Sequence, residues 1–165
     1  MAIKMEGTTQ IDLRTALIND FQYVPLSIRQ VAVELGDNTL WRKIGRALLN
    51  IPSDEKIDNA RLRNRIKNYV NKHDIGYMDV ENNLEELERR HYIHVESHSP
   101  PVYYPTSKLV QGLEFMDMLE EETIKVVAKS IANEPTVKKY SNIIEIVRND
   151  IYSALKDSLT QEKGF

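Results

Sequence analysis

LEELERRHYIHVESHSPPVYYPTSKLVQGLEFM, residues Leu84 to Met116, changes its apolar period twice. Val80, Leu84 and Leu87 recur at helical spacing, which predicts a helix from about Met78 to Arg90. From Tyr92 to Glu96 the period drops to two, as on a strand. Ser97 to Pro101 then reads as a polar tip and Val102 to Tyr104 as a returning strand. Thr106 or Ser107 opens another helix, with Leu109, Leu113, Met116 and Leu119 on its inner face. Leu84, Leu87 and Ile93 are therefore expected to anchor a helix and a two-stranded hairpin in one small core.

This order resembles the winged helix of PadR-, ArsR- and MarR-type regulators, where L-x-x-L-E-x-x-G-x-I, a hairpin and Y-x-x-T-x-x-G follow one another. Leu84, Leu87, Glu88, His91 and Ile93 stand at the first motif, and Tyr103, Thr106 and Leu109 at the second. The resemblance implies a DNA-binding transcriptional regulator, with the helix before the wing in the major groove and the hairpin beside the backbone. Carried over, the groove-facing residues are Tyr77, Met78, Glu81, Asn82 and Glu85, and the wing contacts are His94, Ser97, His98 and Ser99. The chain departs from the pattern twice. His91 stands where glycine is usual, so the turn into the strand must differ or accept a left-handed residue. The groove helix is also acidic, with Asp79, Glu81, Glu85, Glu86 and Glu88 against Arg89 and Arg90, and carboxylates facing phosphates oppose binding.

Upstream, the charge reverses. Residues 41–75 hold nine bases and four acids in a chain whose net charge is −3, and a locally positive surface attracts phosphates whatever the total. A basic helix from Asn59, its expected cap, to about Asn71 turns Leu62, Ile66, Tyr69 and Val70 inward; His73 to Gly76 form a turn. Arg61, Arg63, Arg65, Lys67 and Lys72 on this helix are candidate phosphate contacts. A second candidate is a helix-turn-helix over residues 27–49, with Ser27 and Asp37 or Asn38 as caps. Gly36 lies at its turn, and Arg42, Lys43 and Arg46 lie on its second helix, beside the inward Leu40, Trp41, Ile44 and Leu48. Two packed helices without a nucleic-acid role explain the same pattern. A first helix is expected over residues 9–22.

Downstream, the helix from Thr106 or Ser107 continues or restarts through Ala132, and Pro135 punctuates the chain. On the last helix, from about Thr136 to Leu159, Tyr140, Ile144, Val147, Ile151 and Ala154 alternate by four and three, as a coiled-coil seam does. It reads as a homodimerisation helix, the alternative being packing against the chain's own body. A two-fold dimer would present paired surfaces to a roughly palindromic site.

The expected fold is mainly α with a small two-stranded β-wing: an N-terminal helical segment (1–57), a winged-helix core (58–113) and a C-terminal helical dimerisation region (114–165). Hydrophobic residues at 41% and charged residues at 28% are ordinary globular values. The absence of cysteine removes disulfides, zinc ribbons and thiol catalysis. No phosphate-binding glycine loop, dinucleotide turn, H-E-x-x-H or nucleophile elbow occurs, so no enzymatic activity and no cofactor are expected. His94, Glu96 and His98 alternate on a strand, but without a fourth ligand they read as an outward polar face rather than a metal site. No apolar run nears the roughly 20 residues of a bilayer span, and Met1 to Gln10 lacks a signal core, so a soluble cytoplasmic protein without membrane association is expected. Double-stranded DNA and a second copy are the expected partners. The alternatives are a winged helix used for protein assembly, or a plasmid or viral partition or replication accessory protein.

Overall fold

The computed structural model describes residues 20–52, 54–97, 99–130 and 140–163. The element order is α1 (Leu26–Asp37), α2 (Thr39–Leu49), α3 (Asn59–Arg65), α4 (Lys67–Lys72), α5 (Tyr77–Arg89), β1 (Ile93–Glu96), β2 (Val102–Pro105), α6 (Ser107–Ser130) and α7 (Tyr140–Lys163). The chain is thus mainly helical with one small antiparallel sheet, in which Ile93 faces Pro105 and Glu96 faces Val102. Among the described residues no helix is long and apolar enough to cross a membrane. The helix expected over residues 9–22 lies almost wholly outside the described residues.

Contacts divide the chain into two compact units, residues 34–113 and the remainder. Residues 34–57 group with the hairpin because α2 packs on α3 and β2, and because the Tyr103 N–H donates to the Ile57 carbonyl at 2.9 Å.

In the unit 34–113, polar side chains fix where helices begin. Asn38 caps α2 by accepting from the Trp41 N–H at 3.1 Å. Asp58, not Asn59, caps α3, accepting from the Arg61 N–H at 2.8 Å; Asn59 is instead buried on the first turn. The expected single basic helix is broken at Ile66, whose φ of −111° and ψ of 25° leave the helical region. Leu62, Ile66 and Val70 all remain buried across the break. No glycine or proline announces it.

The junction from α5 to β1 shows how His91 makes the turn into the strand. His91 has φ 65°, its N–H donates to the Glu88 carbonyl at 2.9 Å, and the Tyr92 N–H reaches back to Leu87 at 2.9 Å. This is a Schellman ending, which needs a left-handed residue at that point. Asp74, with φ 51°, ends α4 the same way. Thr106 then ties the junction to α6. Its hydroxyl lies 2.8 Å from the His91 carbonyl and 3.0 Å from that of Tyr92, and its oxygen accepts from the Leu109 N–H at 3.3 Å.

The core of this unit holds Leu35, Trp41, Ile44, Leu48, Ile57, Leu62, Val80, Leu84, Leu87, Tyr92, Ile93, Val102, Tyr103, Leu109 and Leu113. Gly45 lets α2 and the start of α6 approach closely: a Cβ there would lie 3.3 Å from methyls of both Leu109 and Leu113. In the other unit, Phe21 meets Phe115 edge-on with ring centroids 6.0 Å apart. Arg29, only 1% exposed, donates to the Val24 carbonyl at 3.0 Å and to the Ser158 hydroxyl at 3.1 Å. Glu120 and Arg148 join α6 to α7 at 2.9 Å. Arg148's hydrogen bonds hold the Glu120 carboxyl below its ordinary range.

Candidate nucleic-acid interface

Charge is segregated along the chain of this unit. Asn59 to His73 holds five bases and no acid, and Tyr77 to Glu88 holds five acids and no base. The structure keeps the two sets apart. No ion pair joins α3 or α4 to α5 among the described residues.

The expected cations have unequal freedom. Arg61 is exposed and donates to the Lys56 carbonyl at 2.8 Å. Arg65 reaches the Asn50 carbonyl at 3.2 Å and pairs with Glu55 at 3.2 Å. Arg63 lies 5.9 Å over the Tyr77 ring, and its buried Nε has no hydrogen-bond partner among the described residues. Lys67 and Lys72 are exposed, with no carboxylate partner among the described residues. On α2, Arg42 is engaged by the end of α1, donating to the Gly36 carbonyl and the Thr39 hydroxyl at 2.9 Å each. Lys43 is exposed and Arg46 half-buried.

On α5 the expected groove face divides. Met78, Asn82 and Glu85 recur by four and three and are exposed, as are Tyr77, Asp79 and Glu88. Glu81 turns into the unit instead. It accepts from the Asn59 amide at 2.6 Å and faces the Tyr103 hydroxyl at 3.5 Å. On the hairpin His94, Ser97 and Ser99 are exposed, while His98 lies outside the described residues. Every described DNA-contact candidate thus lies within the unit 34–113, on α2–α5 and the hairpin.

Burial, and next the Glu81 carboxylate, push the Tyr103 hydroxyl from 10.0 up to about 12. The folded hydroxyl ionises later than the unfolded one, so this contribution is intact below pH 10 and is lost as pH rises toward 12. Tyr103→Phe should therefore remove roughly 2 kcal/mol of alkaline destabilisation. Urea midpoints of the two proteins should match in pH dependence at neutrality and diverge only at high pH.

Several contacts had no sequence signal. The Trp41 indole N–H donates to Asn83 at 2.9 Å. Glu34 receives Arg90 at 2.7 Å and also the Tyr92 hydroxyl, while Arg90 lies over Trp41 at 5.3 Å. These partners stand tens of residues apart, beyond any spacing rule.

The expected seam on α7 is divided too. Ile151 and Ala154 are buried within the single chain, while Ile144 and Val147 are half-buried and the exposed isoleucine is Ile146. The Tyr140 side chain is not among those described. Packing within the chain thus takes up the C-terminal half of the seam.

No known protein family, curated protein or solved structure matches this chain.

Proposed function

We propose that residues 34–113 are a winged helix and that the chain binds duplex DNA as a transcriptional regulator. The order supports it: a helix (α2), a segment whose Ile57 carbonyl accepts one backbone hydrogen bond from Tyr103, the pair α3 and α4, then α5, the hairpin and α6. The observation that carries the binding is the carboxylate-free run from Asn59 to His73, with Lys67 and Lys72 exposed and unpaired with any acid among the described residues. Such cations bind phosphates and release counterions. With α5 acidic, backbone contacts from Lys67, Lys72, Arg61 and Lys43 dominate, and base contacts fall to Tyr77 and Asn82. A homodimer through the exposed half of α7 would pair two such surfaces.

Fluorescence anisotropy of a labelled duplex at low protein concentration tests this reading. Affinity should fall steeply as salt rises. Lys67→Gln with Lys72→Gln should weaken binding to all duplexes alike and flatten the salt slope by about two. These lysines are better probes than Arg61 and Arg65, which also hold protein carbonyls. No binding at low salt, or an unchanged slope, defeats the proposal. The acidic outer face of α5 favours one other reading, a winged helix serving protein assembly, which predicts no DNA affinity at any salt concentration.

A further inference from the structure

We propose that the outer face of α5 docks on the cationic α3–α4 surface of a second copy, joining copies head to tail. The inference rests on unpaired opposite charge within one unit. Helices α3 and α5 pack on each other, yet the only polar link between the paired segments' side chains is the amide of Asn59 on Glu81, with Arg63 stacked on Tyr77. Asp79, Glu85 and Glu88 remain exposed without an ion-pair partner among the described residues, and so do Lys67 and Lys72. A chain that places opposite charges on adjoining helices and joins none of them to one another among the described residues presents two complementary surfaces.

Each surface also offers shape or apolar area. On α5, Tyr77 and Met78 are 48% and 63% exposed at one end of the acidic stripe. Ala60, Arg61, Asn64 and Arg65 of α3, with Glu55 ahead of the helix and paired with Arg65, line an open depression of about 430 Å³. An exposed methionine beside carboxylates matches an open hollow beside guanidinium groups. Because the two faces are different patches, the contact is heterologous, and heterologous contacts grow into rings or open chains. Opposite charge across the joint makes growth sensitive to salt, since screening shortens to about 10 Å near 0.1 M.

The inference does not depend on DNA binding, although both use Lys67 and Lys72. Sedimentation of the full chain, without DNA, separates them. At roughly 100 µM protein in low salt, the weight-average mass should rise with concentration and collapse severalfold near 0.5 M salt, where the Debye length is only a few ångströms. Lys67→Glu with Lys72→Glu takes Asn59 to His73 from five bases and no acid to three bases and two acids. Glu85→Lys with Glu88→Lys takes Tyr77 to Glu88 from five acids and no base to three acids and two bases. Each variant thus keeps one face and nearly neutralises the other. All four sites are exposed, and circular dichroism verifies folding. Each double variant alone should lose the concentration-dependent growth, and an equimolar mixture should form a 1:1 pair, joined by the acidic face of the first variant on the basic face of the second. A wild-type mass independent of concentration and salt overturns the proposal, as does a mixture no larger than its separate components.

Discussion

Replacing Leu84 by alanine should lower the unfolding free energy by about 3 kcal/mol, a large part of the stability of a small domain. Leu84 is 1% exposed and lies on the inner stripe of α5 with Val80 and Leu87. That stripe packs against α3 and β1, so truncation opens a cavity where helix and hairpin meet. Both the lost transfer energy and the unfilled space contribute. A urea midpoint lowered by about 2 M is the expected reading. Glu85→Ala, one residue on and exposed, should stay within about 0.5 kcal/mol. Equal effects at both positions would mean that α5 does not present this face to the core.

Asn59→Asp should cost about as much at neutral pH, for a different reason. Asn59 is 4% exposed, and its amide donates to Glu81 at 2.6 Å. Aspartate has the same shape but replaces the donor with a second carboxylate. Two anions at that distance, one of them buried, are disfavoured by roughly 3 kcal/mol unless a proton is taken up. The folded carboxyl would therefore ionise later than the unfolded one, near 3.9. The sign follows: the deficit is absent below the unfolded value and grows as pH rises through the raised one. Urea midpoints at pH 7 should fall well below wild type and recover on acidification. A deficit indifferent to pH would show that Glu81 is not the neighbour that matters.

Much of the fold was legible because its signals are local. The change of period after Arg90 located the hairpin to within a residue, and the inward stripe of α6 is buried at Leu109, Leu113, Met116 and Leu119 as expected. The sequence leaves two options at His91, a different turn or a left-handed residue, and the structure takes the second. The break at Ile66 was not legible, since neither a turn residue nor a lapse in the apolar period marks it. Nor was the choice of Asp58 over Asn59 as cap: both residues suit the role, and burial decided between them.

The candidate surface shows the same division. Sequence alone established that bases and acids are sorted onto consecutive helices, because charge order is a property of the linear chain. Only the tertiary structure decided which charges remain available: Arg42 is held by the end of α1, Arg65 by Glu55, and Glu81 is drawn inward by Asn59. It also buried Ile151 and Ala154 in the chain's own body, halving the expected seam. Spacing rules describe neighbours three or four residues apart, whereas these partners are brought together by packing between elements distant in sequence.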